Sequence, residues 1–230
     1  MARPSPRAWR LAESLFAAAA LLSLLFCLLA RSQGRLALAI RVDTTLETRV
    51  HTWFQAAGIR ALEAVSFFGG TLFLTAATLG VAIYLFRLPA PRRLRAFLLA
   101  VGGGEIWVQV FKQVFRRARP DLFDPLTRAI GFSFPSGHST MSAVFYGAIA
   151  GLAAASCRSK PCAARALASG LAAIAAIGFS RIALGVHWPT DVLGGWVLGF
   201  AWLALVFAVA ESGARRGRLS REGGGERSAE

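Results

Sequence analysis

The sequence predicts an all-α integral-membrane protein: a bundle of six membrane-spanning helices, with an interfacial amphipathic segment between the first and second. Three observations predict it. Hydrophobic residues make up 55% of the 230-residue chain and mean hydropathy is +0.52, too apolar for an ordinary soluble domain. Six stretches approach the roughly 20 apolar residues that cross a hydrocarbon core. The basic residues, 26 against 12 acids, fall between those stretches.

The spans are read at 11–30, 71–86, 94–111, 139–155, 164–183 and 192–210, within one domain over 1–211. The first follows Arg3, Arg7 and Arg10 as a signal peptide would, but it runs on to Arg31 with no small-residue cleavage site. It is therefore expected to stay as a span. Gly and Ala recur through all six, which allows helices to approach closely in lipid. With both termini inside, fifteen Lys and Arg lie on the inner side and eleven on the outer. The segment 43–68 places Leu46, Val50, Trp53, Phe54, Ala57, Leu62 and Val65 at helical spacing beside charged residues. It reads as one or two amphipathic helices in the outer interface or packed on the bundle. The Gly-, Arg- and Glu-rich stretch 212–230 reads as a disordered tail.

A net charge of +14 could signal nucleic-acid binding, but these charges are dispersed between apolar runs. No nucleic-acid partner is expected; the partners are membrane lipids and an anionic ligand. Cys27, Cys157 and Cys162 make neither a metal set nor a disulfide framework and read as structurally incidental.

Three polar clusters interrupt the apolar chain: KQVFRRARP with Lys112, Arg119 and Pro120; FPSGHST with Pro135, Ser136, Gly137 and His138; and SRIALGVHWPTD with Ser180, Arg181, His187 and Asp191. Each sits at a span boundary, and an up-down topology brings all three to the face opposite the N-terminus. Lys112, Arg119 and Arg181 would then share one small volume, which is costly without a counter-anion. A phosphate supplies that charge, and guanidinium forks fit its oxygens. Arg116, Arg117 and Arg128 read instead as interfacial anchors. Ser136 is placed to cap the fourth span, and the free amides around Gly137 and His138 form an anion site at the helix N-terminus.

His187 and Asp191 are four apart at the start of the sixth span, so both side chains lie on one face. Asp191 can accept from Nδ1 and leave Nε2 as a nucleophile. His138 can then protonate the leaving alkoxide and activate the attacking water. His51, the third histidine, has no role, and Glu105, inside the third span, is either a functional acid or a partner for a basic residue.

Taken together these residues resemble the type 2 phosphatidic-acid phosphatase family, the lipid phosphate phosphatases. The family pattern K-x6-R-P, P-S-G-H, S-R-x5-H-x3-D is matched at every position. The resemblance implies a phosphohistidine on His187 and phosphate held by Lys112, Arg119, Ser136, Gly137 and Arg181. It also implies a reaction needing no metal or other cofactor, at the periplasmic or extracellular face of the plasma membrane. Phosphatidate, phosphatidylglycerol phosphate, undecaprenyl diphosphate and lipid A phosphates all offer a similar head, so the substrate and the oligomeric state stay open. Three other readings compete. A lipid phosphotransferase would use the same His187. The same motifs resemble vanadium-dependent haloperoxidases, which are soluble. An anion transporter would call for charged or broken helices near the midplane of paired halves.

Overall fold

The computed structural model describes residues 37–54, 58–122 and 129–226. The expected first span, 11–30, lies outside the described residues, as does Arg128. Seven helices follow: α1 (Ala37–Phe54), α2 (Ile59–Phe67), α3 (Thr71–Phe86), α4 (Pro91–Phe115), α5 (Gly137–Ser156), α6 (Lys160–Ala183) and α7 (Pro189–Glu226), with no strand among the described residues. Among the described residues, five segments can cross a membrane by length and composition: Ile59–Phe86, Pro91–Phe115, Gly137–Ser156, Lys160–Ala183 and Pro189–Ala210. They cover the second to sixth expected spans. The first of them joins α2, expected in the interface, to α3 across a short turn. α7 stays helical through Glu226, over the stretch whose composition reads as a tail.

Local chemistry sets the helix ends that matter. Pro91, Pro161 and Pro189 sit in the first turns of α4, α6 and α7, where their missing N–H costs nothing. Ser136 and Ser159 cap α5 and α6, each hydroxyl accepting from the amide three residues on. α4 stops at Arg116, which takes the left-handed conformation (φ 45°) and turns the chain back over the bundle end.

α5 is the central helix, packed against α3, α4, α6 and α7. Its Val144, Phe145 and Ala148 are buried with Phe97 and Ala100 of α4 and Leu203 and Val206 of α7. Leu72, Leu79 and Phe86 of α3, and Leu99 and Ile106 of α4, point outward as lipid-facing side chains would. Gly195 fixes the crossing of α5 and α7: a Cβ there would stand 2.9 Å from the Ser136 carbonyl oxygen and 2.9 Å from Ser139 Cβ. The first turn of α5 and the start of α7 are therefore pressed together at one end of the bundle.

The end of α4, the start of α5, the end of α6 and the start of α7 share that end. α1 lies there too, packed on α6 and α7. At the other end Cys157 and Cys162 form a disulfide, which corrects their reading as incidental. The Ser159 cap starts α6 so abruptly that the two Cα atoms stand 5.7 Å apart, within bridging range.

Candidate active site

The residues singled out by the motifs converge. Lys112, Arg119, Gly137, His138, Arg181 and His187 line one cavity of about 580 Å³, which runs down between α3 and α4 past Thr75, Thr78, Glu105 and Gln109. Ser136 is fully buried behind that wall, its hydroxyl engaged with Ser139 of its own helix. Asp191 is also fully buried, behind His187.

His187 sits in the turn between α6 and α7 and is 2% exposed. Its Nδ1 faces Asp191 Oδ2 at 3.4 Å, and its Nε2 lies 3.2 Å from Arg119 Nη1. Burial, opposed by the hydrogen bond and charge of Asp191, lowers the imidazole pKa to about 4. The ring is therefore neutral at physiological pH, as a nucleophile must be.

Arg119 is aimed by backbone. Nε donates to the Gly131 carbonyl at 2.9 Å, Nη1 to Val186 at 2.7 Å, and Nη2 to Ile130 at 3.0 Å. Its pKa is lowered by burial, but a guanidinium stays charged. Lys112 donates to the Phe132 carbonyl at 2.8 Å. Arg181 is 7% exposed; Nη1 donates to Ser66 Oγ at 2.6 Å, while Nε is buried with no hydrogen-bond partner among the described residues. An unsatisfied donor on a buried cation is expensive, and an anion in the cavity would satisfy it.

His138 projects from the first turn of α5 toward the Gly69–Gly70 turn before α3. A Cβ on Gly69 would fall 2.4 Å from Ile177 Cγ2 and 3.3 Å from His138 Cδ2, so glycine permits that approach. Glu105 faces the same cavity and accepts from Gln109 at 2.8 Å.

The sequence reading missed the support of Asp191. Oδ2 accepts from the Trp188 amide at 3.0 Å and from the Ser133 hydroxyl in a short hydrogen bond. Oδ1 accepts from Arg117 Nη1 at 2.6 Å. Arg117 is thus not the interfacial anchor expected: its other arm, Nη2, meets Asp43 Oδ2 of α1 at 2.7 Å, and its guanidinium packs over the Trp188 ring. Burial and the nearby carboxylates of Asp43 and Asp191 hold Glu47, one turn after Asp43, up at about 8. Backbone bonds tie the clusters together. The Ser136 amide donates to the Asp191 carbonyl and the Ser133 amide to the Arg117 carbonyl.

This arrangement pairs a neutral, oriented imidazole with three cations across one cavity. The model of the PAP2 superfamily matches residues 93–213, a stretch that holds all three clusters. The chain belongs to the PAP2 superfamily. Relatives of this PAP2 protein include phosphatidylglycerophosphatase B of Bacillus subtilis (strain 168), 40% identical over 111 residues, which are 47% of this chain and 54% of the relative. Another is a lipid A 1-phosphatase of Rhizobium johnstonii (strain DSM 114642 / LMG 32736 / 3841), 33% identical over 44% of this chain and 40% of the relative. An undecaprenyl-diphosphatase of Sulfolobus acidocaldarius is 32% identical over 51% of this chain and 52% of the relative. The chain spans about half the length of the curated relatives it matches.

The crystal structure of a transmembrane PAP2-type phosphatidylglycerolphosphate phosphatase from Bacillus subtilis superposes with a TM-score of 0.74 at 26% identity, over 84% of this chain and 96% of that one. Aquifex aeolicus LpxE superposes with a TM-score of 0.59 at 20% identity, over 72% and 94%, and shows the shared fold. With five apolar segments long enough to span among its described residues, this PAP2 chain is a multi-pass membrane protein.

Proposed function

We propose that this protein hydrolyses a lipid phosphate through a phosphohistidine on His187, without a metal ion. The observation that carries the reading is the convergence of Lys112, Arg119, Arg181 and His187 on one cavity beside the N-terminus of α5. Lys112, Arg119, Arg181 and the amides of Gly137 and His138 hold the phosphate oxygens, and their charge stabilises the equatorial oxygens of the transition state. Nε2 of His187 attacks phosphorus in line while Asp191 holds Nδ1–H. The P–O ester bond breaks, and protonated His138 donates its proton to the departing alkoxide. His138, now neutral, takes a proton from water as that water attacks phosphorus. The P–N bond breaks, and inorganic phosphate and free His187 result.

The substrate is a lipid phosphate or diphosphate of the phosphatidate, phosphatidylglycerol phosphate or undecaprenyl diphosphate class. The names of the relatives and the cavity between two lipid-facing helices support that class. The arginine distribution supports a plasma-membrane protein with both termini cytoplasmic and the site on the outer face.

The test is phosphate release by purified protein from a panel of these lipids in detergent, with EDTA present and with vanadate titrated in. Release that survives EDTA and is inhibited by vanadate is expected. Release from none of them, or release abolished by EDTA, overturns the proposal.

A further inference from the structure

Asp43 belongs to α1, well before residue 93, where the family match begins. It is 1% exposed, and its carboxylate is fully engaged. Oδ1 accepts from the Thr190 amide at 2.9 Å; Oδ2 accepts from the Thr190 hydroxyl at 2.6 Å and from Arg117 Nη2 at 2.7 Å. Thr190 is the neighbour of Asp191 in the first turn of α7, so Asp43 also places negative charge at that helix N-terminus.

Arg117 stands between two buried carboxylates and gives each one arm: Nη2 to Asp43 and Nη1 to Asp191 Oδ1. Asp191 Oδ2 is thereby left to His187 Nδ1, the Trp188 amide and the Ser133 hydroxyl. Asp43 supplies the hydrogen bond by which α1 holds the second arm away from Asp191; Glu47, one turn on, is near Arg117 but makes no hydrogen bond to it. A guanidinium fork prefers to close on a carboxylate through both arms, which would compete for Oδ2, the oxygen that orients His187.

We infer that Asp43 is a positioning residue for the reaction: acting through Arg117, it divides the donors on Asp191 so that one carboxylate oxygen stays with His187. The inference rests on the proposed role of His187 as nucleophile. It makes α1 part of the support of the active site, although no described residue of α1 lines the cavity wall. A purely structural Asp43 would dock α1 on α6 and α7, and its loss would lower stability without selecting kcat.

The test compares wild type, Asp43→Asn, Arg117→Met and the double variant in the full chain, on the lipid phosphate that wild type turns over fastest. Inhibition by inorganic phosphate reports an intact anion site. Asp43→Asn should lower kcat about a hundredfold, the scale of a misplaced reacting group, with KM and phosphate inhibition close to wild type. In the Arg117→Met background the same substitution should cost nothing further, because the two residues act as one unit. Wild-type kcat in folded Asp43→Asn overturns the inference, as do additive losses or a change confined to KM. If Asp43→Asn does not fold, Arg117→Lys carries the test. A single ammonium cannot bridge both carboxylates, so the same kcat loss is expected and wild-type kcat overturns the inference. An active wild type with an unaffected variant removes this inference alone; an inactive wild type removes the proposed function with it.

Discussion

Arg119 Nη1 lies 3.2 Å from His187 Nε2, and that contact defines the tautomer of the imidazole. A guanidinium only donates, so the facing nitrogen presents its lone pair and the proton resides on Nδ1, toward Asp191. The two neighbours of His187 thus agree on one form of the ring, the form that the proposed attack on phosphorus through Nε2 requires. Phosphate oxygens are better acceptors for the fork than a ring nitrogen, so in the proposed mechanism a bound phosphate would draw Arg119 onto itself and free the lone pair.

Arg119→Lys should therefore cost more than a charge-conserving change suggests. The ammonium cannot reproduce donation to four carbonyls and to His187 at once. We expect kcat to fall about 10²- to 10³-fold, the usual cost of one preorganised donor to a developing oxyanion. Steady-state kinetics near wild type would show that the fork is not used.

The pH dependence carries a sign. His187 is held at about 4, below its ordinary 6.5, so the neutral nucleophile persists into acid. After correction for titration of the substrate phosphate, kcat/KM should fall on the acid side with a midpoint near about 4. A midpoint at the ordinary histidine value would show that burial does not govern the ring.

Glu47 predicts the pH dependence of stability. Its pKa is raised from 4.5 to about 8, so the fold favours the protonated acid. The stability this contributes is whole below 4.5 and is lost as pH rises through about 8. Glu47→Gln, which fixes the neutral form, should raise the thermal midpoint at about pH 9 and leave it unchanged at about pH 4. Equal midpoints at the higher pH would contradict the assignment.

Gly69→Ala should injure the site through packing. The added Cβ meets Ile177 at 2.4 Å and crowds the His138 ring, so something must move. A loss of about 1–3 kcal/mol in stability is expected, with reduced turnover, measured by thermal melting and phosphate release. Wild-type behaviour would mean that the turn before α3 does not fix His138.

The sequence showed much of this site because its six cavity residues lie in three short clusters at span boundaries, where ionisable side chains need a reason to exist. Helix spacing sufficed for His187 and Asp191. Arg117 was illegible for a physical reason: beside Arg116 and Arg119 its residue type says nothing, and its partners lie 74 positions away in both directions. Ser66 and Ser133 are ordinary loop or helix serines until the fold brings them to Arg181 and Asp191. The amphipathic pattern over 43–68 pointed to helix there but not to the task of α1, because only the fold shows that Asp43 and Glu47 are buried. The disulfide was missed because a cysteine pair five apart closes only if the intervening chain turns sharply, and the Ser159 cap sets that turn.

The central claim is that His187 carries the phosphoryl group. The most direct measurement mixes enzyme with a lipid labelled in its terminal phosphate, quenches in alkali, where phosphoramidates survive, and locates the label by mass spectrometry of the peptides. The account predicts a phosphate on His187 within the first turnover and none in His187→Ala, which should also lack turnover while remaining folded. Label on another residue, or full activity in His187→Ala, would contradict it.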